Sequence, residues 1–192
     1  MSERQLREAI AEHGKRLVET GLVQGTWGNL SARLDEQFML VTPSGLDYLC
    51  LAPADIVRVD LFTFAYESSN GRRPTTEKRF HSAIYRARPE VNAVIHTHAE
   101  YCGVFAAAHR PLPASTPEQL RLFGGDVRCA AHALPSTARL TRFALAALDG
   151  RSACLLANHG AICIGSSLAA AFAVCGAAEA AARTALCGNG DG

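Results

Sequence analysis

The sequence predicts an α/β domain, a sheet sandwiched by helices, on three observations. Stretches with apolar residues at helical spacing interleave with short stretches of strand-like alternation along the whole chain. The 192 residues amount to one domain, and 48% of them are apolar, enough to bury a core and too apolar for disorder. Neither an internal repeat nor a linker breaks the pattern, so residues 1–192 read as a single unit.

The elements follow in order. Leu6, Ala9, Ile10, His13 and Leu17 recur at helical spacing between Glu3 and Thr20, with Ser2 and Gln5 as a capping box and Gly21 as a stop. A glycine-punctuated turn from Gly25 to Asn29 leads into a strand at Leu30–Leu34, whose hairpin partner is Phe38–Thr42. A loop from Pro43 to Asp47 precedes a strand at Ile56–Leu61, and Ser68–Pro74 is loop. Phe80, Ala83, Ile84 and Ala87 mark a helix that ends before Pro89; Val91–His98 is a strand. A further helix follows it, then a connection rich in proline (Pro111, Pro113, Pro117). Ser136 or Thr137 caps a helix carrying Leu140, Phe143, Ala144 and Leu148. Ala153–Ala157 and Ala161–Gly165 are short strands flanking Asn158-His159-Gly160, an Ala-rich helix spans about Leu168 to Leu186, and a tail begins at Gly188.

Composition excludes several functions. Nineteen Lys and Arg against 18 Asp and Glu give a formal +1, so no strong field draws the chain to nucleic acid or an anionic membrane. The longest apolar stretch, Leu168–Ala178, is about half of a bilayer span, and Met1–Gln5 lacks an apolar signal segment. A cytoplasmic protein is expected. The seven cysteines are odd in number and lack a C-x-x-C pair, so they read as small buried hydrophobes with free thiols. The absence of G-x-G-x-x-G, a Walker loop and G-x-S-x-G weighs against nucleotide-dependent chemistry and the serine-hydrolase elbow.

Histidines carry the chemistry. His96 and His98, two apart on a strand, put both imidazoles on one face, roughly 6–7 Å apart along it. That spacing suits convergence on one metal ion, although H-x-H also arises by chance. His159 stands in a turn that Gly160 makes tight. Glu77 opens a helix, with its carboxylate near the positive end. Three imidazoles and a carboxylate form a set expected of Zn2+, less often Mn2+ or Co2+. His81, one helical turn after Glu77, is an alternative ligand; His13, His109 and His132 read as surface or supporting residues. Gly28-Asn29 and Ser44-Gly45 are loop positions that offer backbone N–H groups, and Thr75 and Thr76 place hydroxyls at a helix N-terminus. Such groups favour phosphate or carboxylate; ordinary turn and capping chemistry uses the same residues.

The ordered set Gly28-Asn29-Leu30-Ser31, Thr42-Pro43-Ser44-Gly45, Pro74-Thr75-Thr76-Glu77, Arg79-Phe80-His81, His96-Thr97-His98 and Ala157-Asn158-His159-Gly160 resembles the class II aldolase/adducin family. That family includes L-fuculose-phosphate aldolase, L-ribulose-5-phosphate 4-epimerase, a methylthioribulose-phosphate dehydratase and sugar-acid phosphate decarboxylases. The resemblance runs from about Leu6 to Leu186. It implies a three-layer α/β/α fold with a largely antiparallel central sheet, and a cyclic homotetramer with active sites between subunits. It implies that His96, His98 and His159 bind zinc, and that Glu77 both approaches the metal and moves the proton on the substrate carbon. Asn29, Gly45, Thr75 and Thr76 match phosphate-binding positions, with Gly28 and Ser44 beside them.

The implied function is a zinc-dependent aldolase-type lyase that cleaves a small phosphorylated ketose through a metal-stabilised enediolate. A decarboxylase of a 3-oxo sugar-acid phosphate or a 4-epimerase would use the same intermediate. Epimerases of the family tend to carry aspartate at the place of Glu77, which favours the first two. A non-catalytic adducin-like module is expected to lose the ligands, and all four are present. The chain departs from the aldolases at Trp27, where a small residue is usual, and in having no tyrosine after Tyr101 to protonate the leaving group. Glu118 falls near the missing mid-chain tyrosine and is the candidate substitute acid/base.

Overall fold

Eight strands hydrogen-bond into one sheet in the computed structural model, which describes residues 1–188. They are β1 (Gly28–Arg33), β2 (Phe38–Val41), β3 (Val57–Asp60), β4 (Tyr66–Glu67), β5 (Ala93–Thr97), β6 (Arg128–Ala130), β7 (Ala153–Leu156) and β8 (Gly160–Gly165), in the order β4-β3-β2-β1-β5-β8-β7-β6. Every neighbouring pair is antiparallel except β6 with β7. Among the described residues six α-helices cover it: α1 (Glu3–Glu19), α2 (Lys78–Ala87), α3 (Glu100–Ala107), α4 (Pro117–Phe123), α5 (Ala138–Ala147) and α6 (Leu168–Cys187).

Two cores make the three layers. On one face Ile10 and Leu17 of α1, Phe105 of α3, Phe123 of α4 and Val174 of α6 pack on Ile95 and Cys163 of the sheet. On the other, Phe80 and Ile84 of α2 and Leu140 and Ala144 of α5 pack on Val94 and Ile162. Successive strand residues therefore bury on opposite faces, which is why β5, β7 and β8 read as continuous apolar runs rather than as polar–apolar alternation.

The structure departs from the sequence reading in several places. The prolines do not make a bare connection. Thr116 Oγ1 accepts the Gln119 N–H at 3.2 Å and Pro117 takes the first position of α4, where its missing donor costs nothing. β4 and β6, two and three residues long, are too short to show a period. Gly28 and Asn29 are not loop: they open β1, opposite Thr97 and His96. His13 is not a surface residue: it is 9% exposed, with Nδ1 donating to the Ala9 carbonyl at 2.8 Å. Thr137, rather than Ser136, caps α5. Of the tail, residues 189–192 lie outside the described residues.

By length and composition α6 is apolar enough to cross a membrane, a stronger signal than the run Leu168–Ala178 gave. Its Ala171, Val174, Cys175, Ala178 and Ala182 nevertheless lie in the core. Glu179, on the same helix, accepts the N–H groups of Tyr101 and Cys102 at 2.8 and 2.9 Å. It thereby caps the first turn of α3, which has no side-chain cap of its own. Glu179→Ala is expected to cost about 1–3 kcal/mol of stability, read as a lower midpoint in urea unfolding.

Candidate metal centre

The strand ends nearest Gly28 and Thr97 gather the sequence-predicted ligands. His96 is the fourth residue of β5, flanked by Asn29 of β1 and Ile162 of β8. Side-chain alternation puts it on the α2/α5 face, and His98 follows one residue after the strand ends. His159 sits in the turn between β7 and β8, where its N–H donates to the Leu156 carbonyl at 2.9 Å. The turn is sharp because of Asn158 (φ 59°), a residue type that tolerates the left-handed region. Gly160 serves a different end: a Cβ there would lie 2.3 Å from the Thr97 carbonyl oxygen and 3.2 Å from His96 Cε1.

The three imidazoles converge. Ring centroids are 4.6 Å apart for His96 and His98, 4.7 Å for His96 and His159, and 5.1 Å for His98 and His159. One nitrogen from each lies within 4.8 Å of the others, and the Nε2 atoms of His96 and His98 are 2.9 Å apart. His96 Nδ1 lies 3.0 Å from the Ala161 carbonyl and must donate to it, so the Nε2 lone pair faces the cluster. Burial pushes His96 down to about 4, against the pull of Glu77, and it pushes His98 down as well. Both rings are thus neutral near pH 7, the protonation state that ligates metal.

Glu77 completes the set. It precedes α2, its N–H donates to Thr75 Oγ1 at 3.3 Å, and its carbonyl accepts from Phe80 and His81. Its Oε2 accepts from Asn29 Nδ2 at 2.8 Å and lies 3.5 Å from His96 Nε2; Oε1 lies 3.7 Å from His159 Nε2. Burial alone would raise its carboxyl. The adjoining His96 imidazole and the Asn29 amide outweigh that and hold it below the usual carboxylate range. A nitrogen–nitrogen contact of 2.9 Å beside a carboxylate is held either by a proton shared between the rings or, with the lone pairs free, by a cation among them. The donor set, three imidazole nitrogens and one carboxylate, fits a divalent first-row metal.

The same residues wall a cavity of about 230 Å3 whose other side is formed by Ser44, Gly45, Thr75 and Thr76. The expected anion donors are only partly available. The Ser44 N–H is spent on the Arg73 carbonyl (2.9 Å) and the Thr75 N–H on the Thr42 carbonyl (3.1 Å). Among the described residues, the N–H groups of Gly45 and Thr76 have no acceptor. Gly28 acts through its missing side chain, since a Cβ there would stand 2.8 Å from the His96 carbonyl oxygen.

Other candidates are placed elsewhere. His81 is not a ligand to this cluster: it is fully buried, with Nδ1 2.7 Å from Ser31 Oγ, and burial pushes it down to about 4. His109 and His132 are exposed. Glu118 is 75% exposed on α4, paired with Arg121 at 2.8 Å, and does not line this chain's cavity. Trp27 stands beside the imidazoles, its ring centroid 6.4 Å from that of His98. Sequence reasoning did not assign Thr26, Pro135 and Ser136 to the site, although all three line the cavity. Nothing local marks them; only the folding of the loop before α5 brings Ser136 (φ 61°) there.

Comparison with known proteins agrees with this geometry. The family model for the class II aldolase and adducin N-terminal domain matches residues 8–186. A 5-methylthioribulose-1-phosphate/5-deoxyribulose-1-phosphate aldolase of Rhodospirillum rubrum is 44% identical over 166 residues, 86% of this chain and 73% of that protein. A 5-deoxy-D-ribulose 1-phosphate aldolase of Bacillus thuringiensis is 36% identical over 169 residues, 88% of this chain and 78% of that one. A solved L-fuculose 1-phosphate aldolase matches with a TM-score of 0.89 and 36% identity, covering 98% of this chain and 88% of its own. With its imidazole cluster, its eight-stranded sheet and a family match along nearly its whole length, the chain belongs to the class II aldolase and adducin N-terminal domain family.

Proposed function

We propose that this aldolase-type lyase cleaves a small ketose 1-phosphate, with His96, His98, His159 and Glu77 holding Zn2+ and the same ligands open to Mn2+ or Co2+. The observation that carries the reading is the meeting of three imidazoles and one carboxylate beside a loop pair with two N–H groups that have no acceptor among the described residues. Bound there, the cation supplies Lewis-acid compensation for negative charge on the substrate oxygens as the carbon–carbon bond breaks.

The chain's own residues do the rest. The N–H groups of Gly45 and Thr76 and the hydroxyls of Ser44, Thr75 and Thr76 take the phosphate, with Gly28 and Asn29 at the edge of the same cavity. Glu77, ionised and facing the cluster, takes up the proton released as the substrate hydroxyl becomes a carbonyl and returns it to the ketose carbon that loses its partner. The names of the Rhodospirillum and Bacillus relatives support a ketose 1-phosphate lacking its terminal hydroxyl. Glu118 lies outside its own chain's cavity, so as acid/base at the substrate hydroxyl it would serve a neighbouring subunit's site in the homotetramer we propose. Leu134, 70% exposed next to the cavity wall, is the kind of surface such contact covers. The seven free thiols suit a reducing cytoplasm.

The test is a screen of zinc-loaded protein against ketose 1-phosphates, ribulose 5-phosphate and 3-oxo-acid phosphates, scored separately for cleavage, epimerisation and CO2 release. Cleavage of the ketose 1-phosphates is expected, lost on chelation and restored by zinc. Epimerisation or CO2 release without cleavage overturns the lyase reading. Bound metal below about 0.2 equivalents, unrestored by added zinc, would instead mark a non-catalytic module. In the same assay Glu118→Gln is expected to slow cleavage; an unchanged rate removes Glu118 from the reaction.

A further inference from the structure

We propose that Asn29 is a positioning residue for Glu77, acting as one rung of a polar ladder between β1 and the segment from Glu77 to Tyr85. The proposal deepens the function given above and rests on its assignment of proton transfer to Glu77.

The ladder follows from two periods that nearly coincide. Alternate residues of a strand share a face and stand about 6.8 Å apart. Residues four apart on a helix stand about 6 Å apart along its axis. Residues 29, 31 and 33 of β1 accordingly meet residues 77, 81 and 85. Asn29 Nδ2 donates to Glu77 Oε2 at 2.8 Å. Ser31 Oγ lies 2.7 Å from His81 Nδ1 and 2.8 Å from the Tyr85 hydroxyl. Arg33 Nη2 donates to the Tyr85 carbonyl at 2.6 Å, and its guanidinium lies 4.9 Å from the Tyr85 ring centroid. Asn29, Ser31, Glu77, His81 and Tyr85 are all buried, so water does not compete for these bonds.

The lower rungs fix α2 along the strand. A slip of one residue would turn position 77 by about 100° away from the imidazoles. Asn29 then fixes the carboxylate itself, which has three side-chain torsions to lose and, among the described residues, takes a side-chain hydrogen bond from no other donor than this amide. Because Asn29 is the register partner of His96, one residue ties the proton-transfer group to the strand that carries the imidazoles. The phosphate role that the family resemblance implies for Asn29 would use the second hydrogen of the same amide nitrogen, which the Glu77 bond leaves available, so the positioning role is additional to it.

The test uses zinc-loaded wild type, Asn29→Ala and the near-isosteric Asn29→Asp. Four readouts apply: kcat and KM, inhibition by inorganic phosphate, metal content, and the Glu77 rotamer in crystals. Positioning predicts a fall in kcat of about tenfold or more for Ala and more for Asp, which sets two carboxylates face to face, in excess of any change in KM and phosphate inhibition. Glu77 should occupy more than one rotamer in Asn29→Ala at unchanged metal content. Phosphate inhibition weakened about tenfold at preserved kcat overturns the proposal, as does wild-type turnover in Asn29→Asp. A wild type inert to every sugar phosphate sinks the functional reading alone, and the Glu77 rotamer still decides the positioning: a single, unmoved conformer in Asn29→Ala refutes it.

Discussion

Glu77→Gln is expected to retain its metal and lose turnover by about a hundredfold or more. The exchange keeps the shape of the side chain and leaves three imidazoles, the greater part of the donor set, untouched. The amide oxygen can still accept from Asn29 in the place of Oε2. What disappears is a group able to take and return a proton, at a point 3.5 Å from His96 Nε2 and 3.7 Å from His159 Nε2. Metal analysis and steady-state rates on one preparation check both halves. Turnover close to wild type would remove Glu77 from proton transfer, whereas loss of zinc would show that its carboxylate is chiefly a ligand.

Gly160→Ala is expected to cost about 2–4 kcal/mol of stability and to weaken zinc binding at least about tenfold. Backbone strain is not the cause, since the residue does not have a positive φ. The added methyl would lie 2.3 Å from the Thr97 carbonyl oxygen, which is backbone and cannot swing aside, and 3.2 Å from the ring of His96. Relief requires prising β8 from β5 where Thr97 pairs with Ala161. All three imidazoles adjoin that junction, since His96 and His98 flank Thr97 and His159 precedes Gly160. Urea unfolding and zinc titration measure the two effects separately, and zinc affinity unchanged in a destabilised variant would show that the junction and the cluster are mechanically independent.

Most of the fold was legible because long amphipathic helices and doubly buried strands leave periodic or continuous apolar signals. α4 was hidden by its own first residue, since Pro117 reads equally as loop and as helix start. The imidazole cluster was legible because H-x-H on a strand and Asn158-His159-Gly160 in a turn restrict where imidazoles can point. The anion donors were not. Whether Ser44 or Gly45 has a free N–H depends on Arg73, nearly thirty residues on, and no local pattern encodes that pairing. Asn29 shows the same limit: its expected place in a loop suggested a backbone anion donor, and only the register of β1 against β5 and α2 shows its side-chain amide turned towards Glu77. Gly160 was noticed as a turn-maker, but the turn belongs to Asn158, and a steric requirement against a distant carbonyl leaves no trace in the neighbouring sequence.

The order of strands has a consequence for biosynthesis. The middle strand that bears His96 and leads into His98 is bordered on one side by an early segment and on the other by a late one. The third imidazole precedes only the last strand and the closing helix. A nascent chain emerging from the ribosome thus holds every other proposed ligand long before it can assemble the full grip. On the proposed ligand assignment, capacity to capture zinc would be a late event of translation, and fragments ending before His159 should be spectators in any competition for the ion.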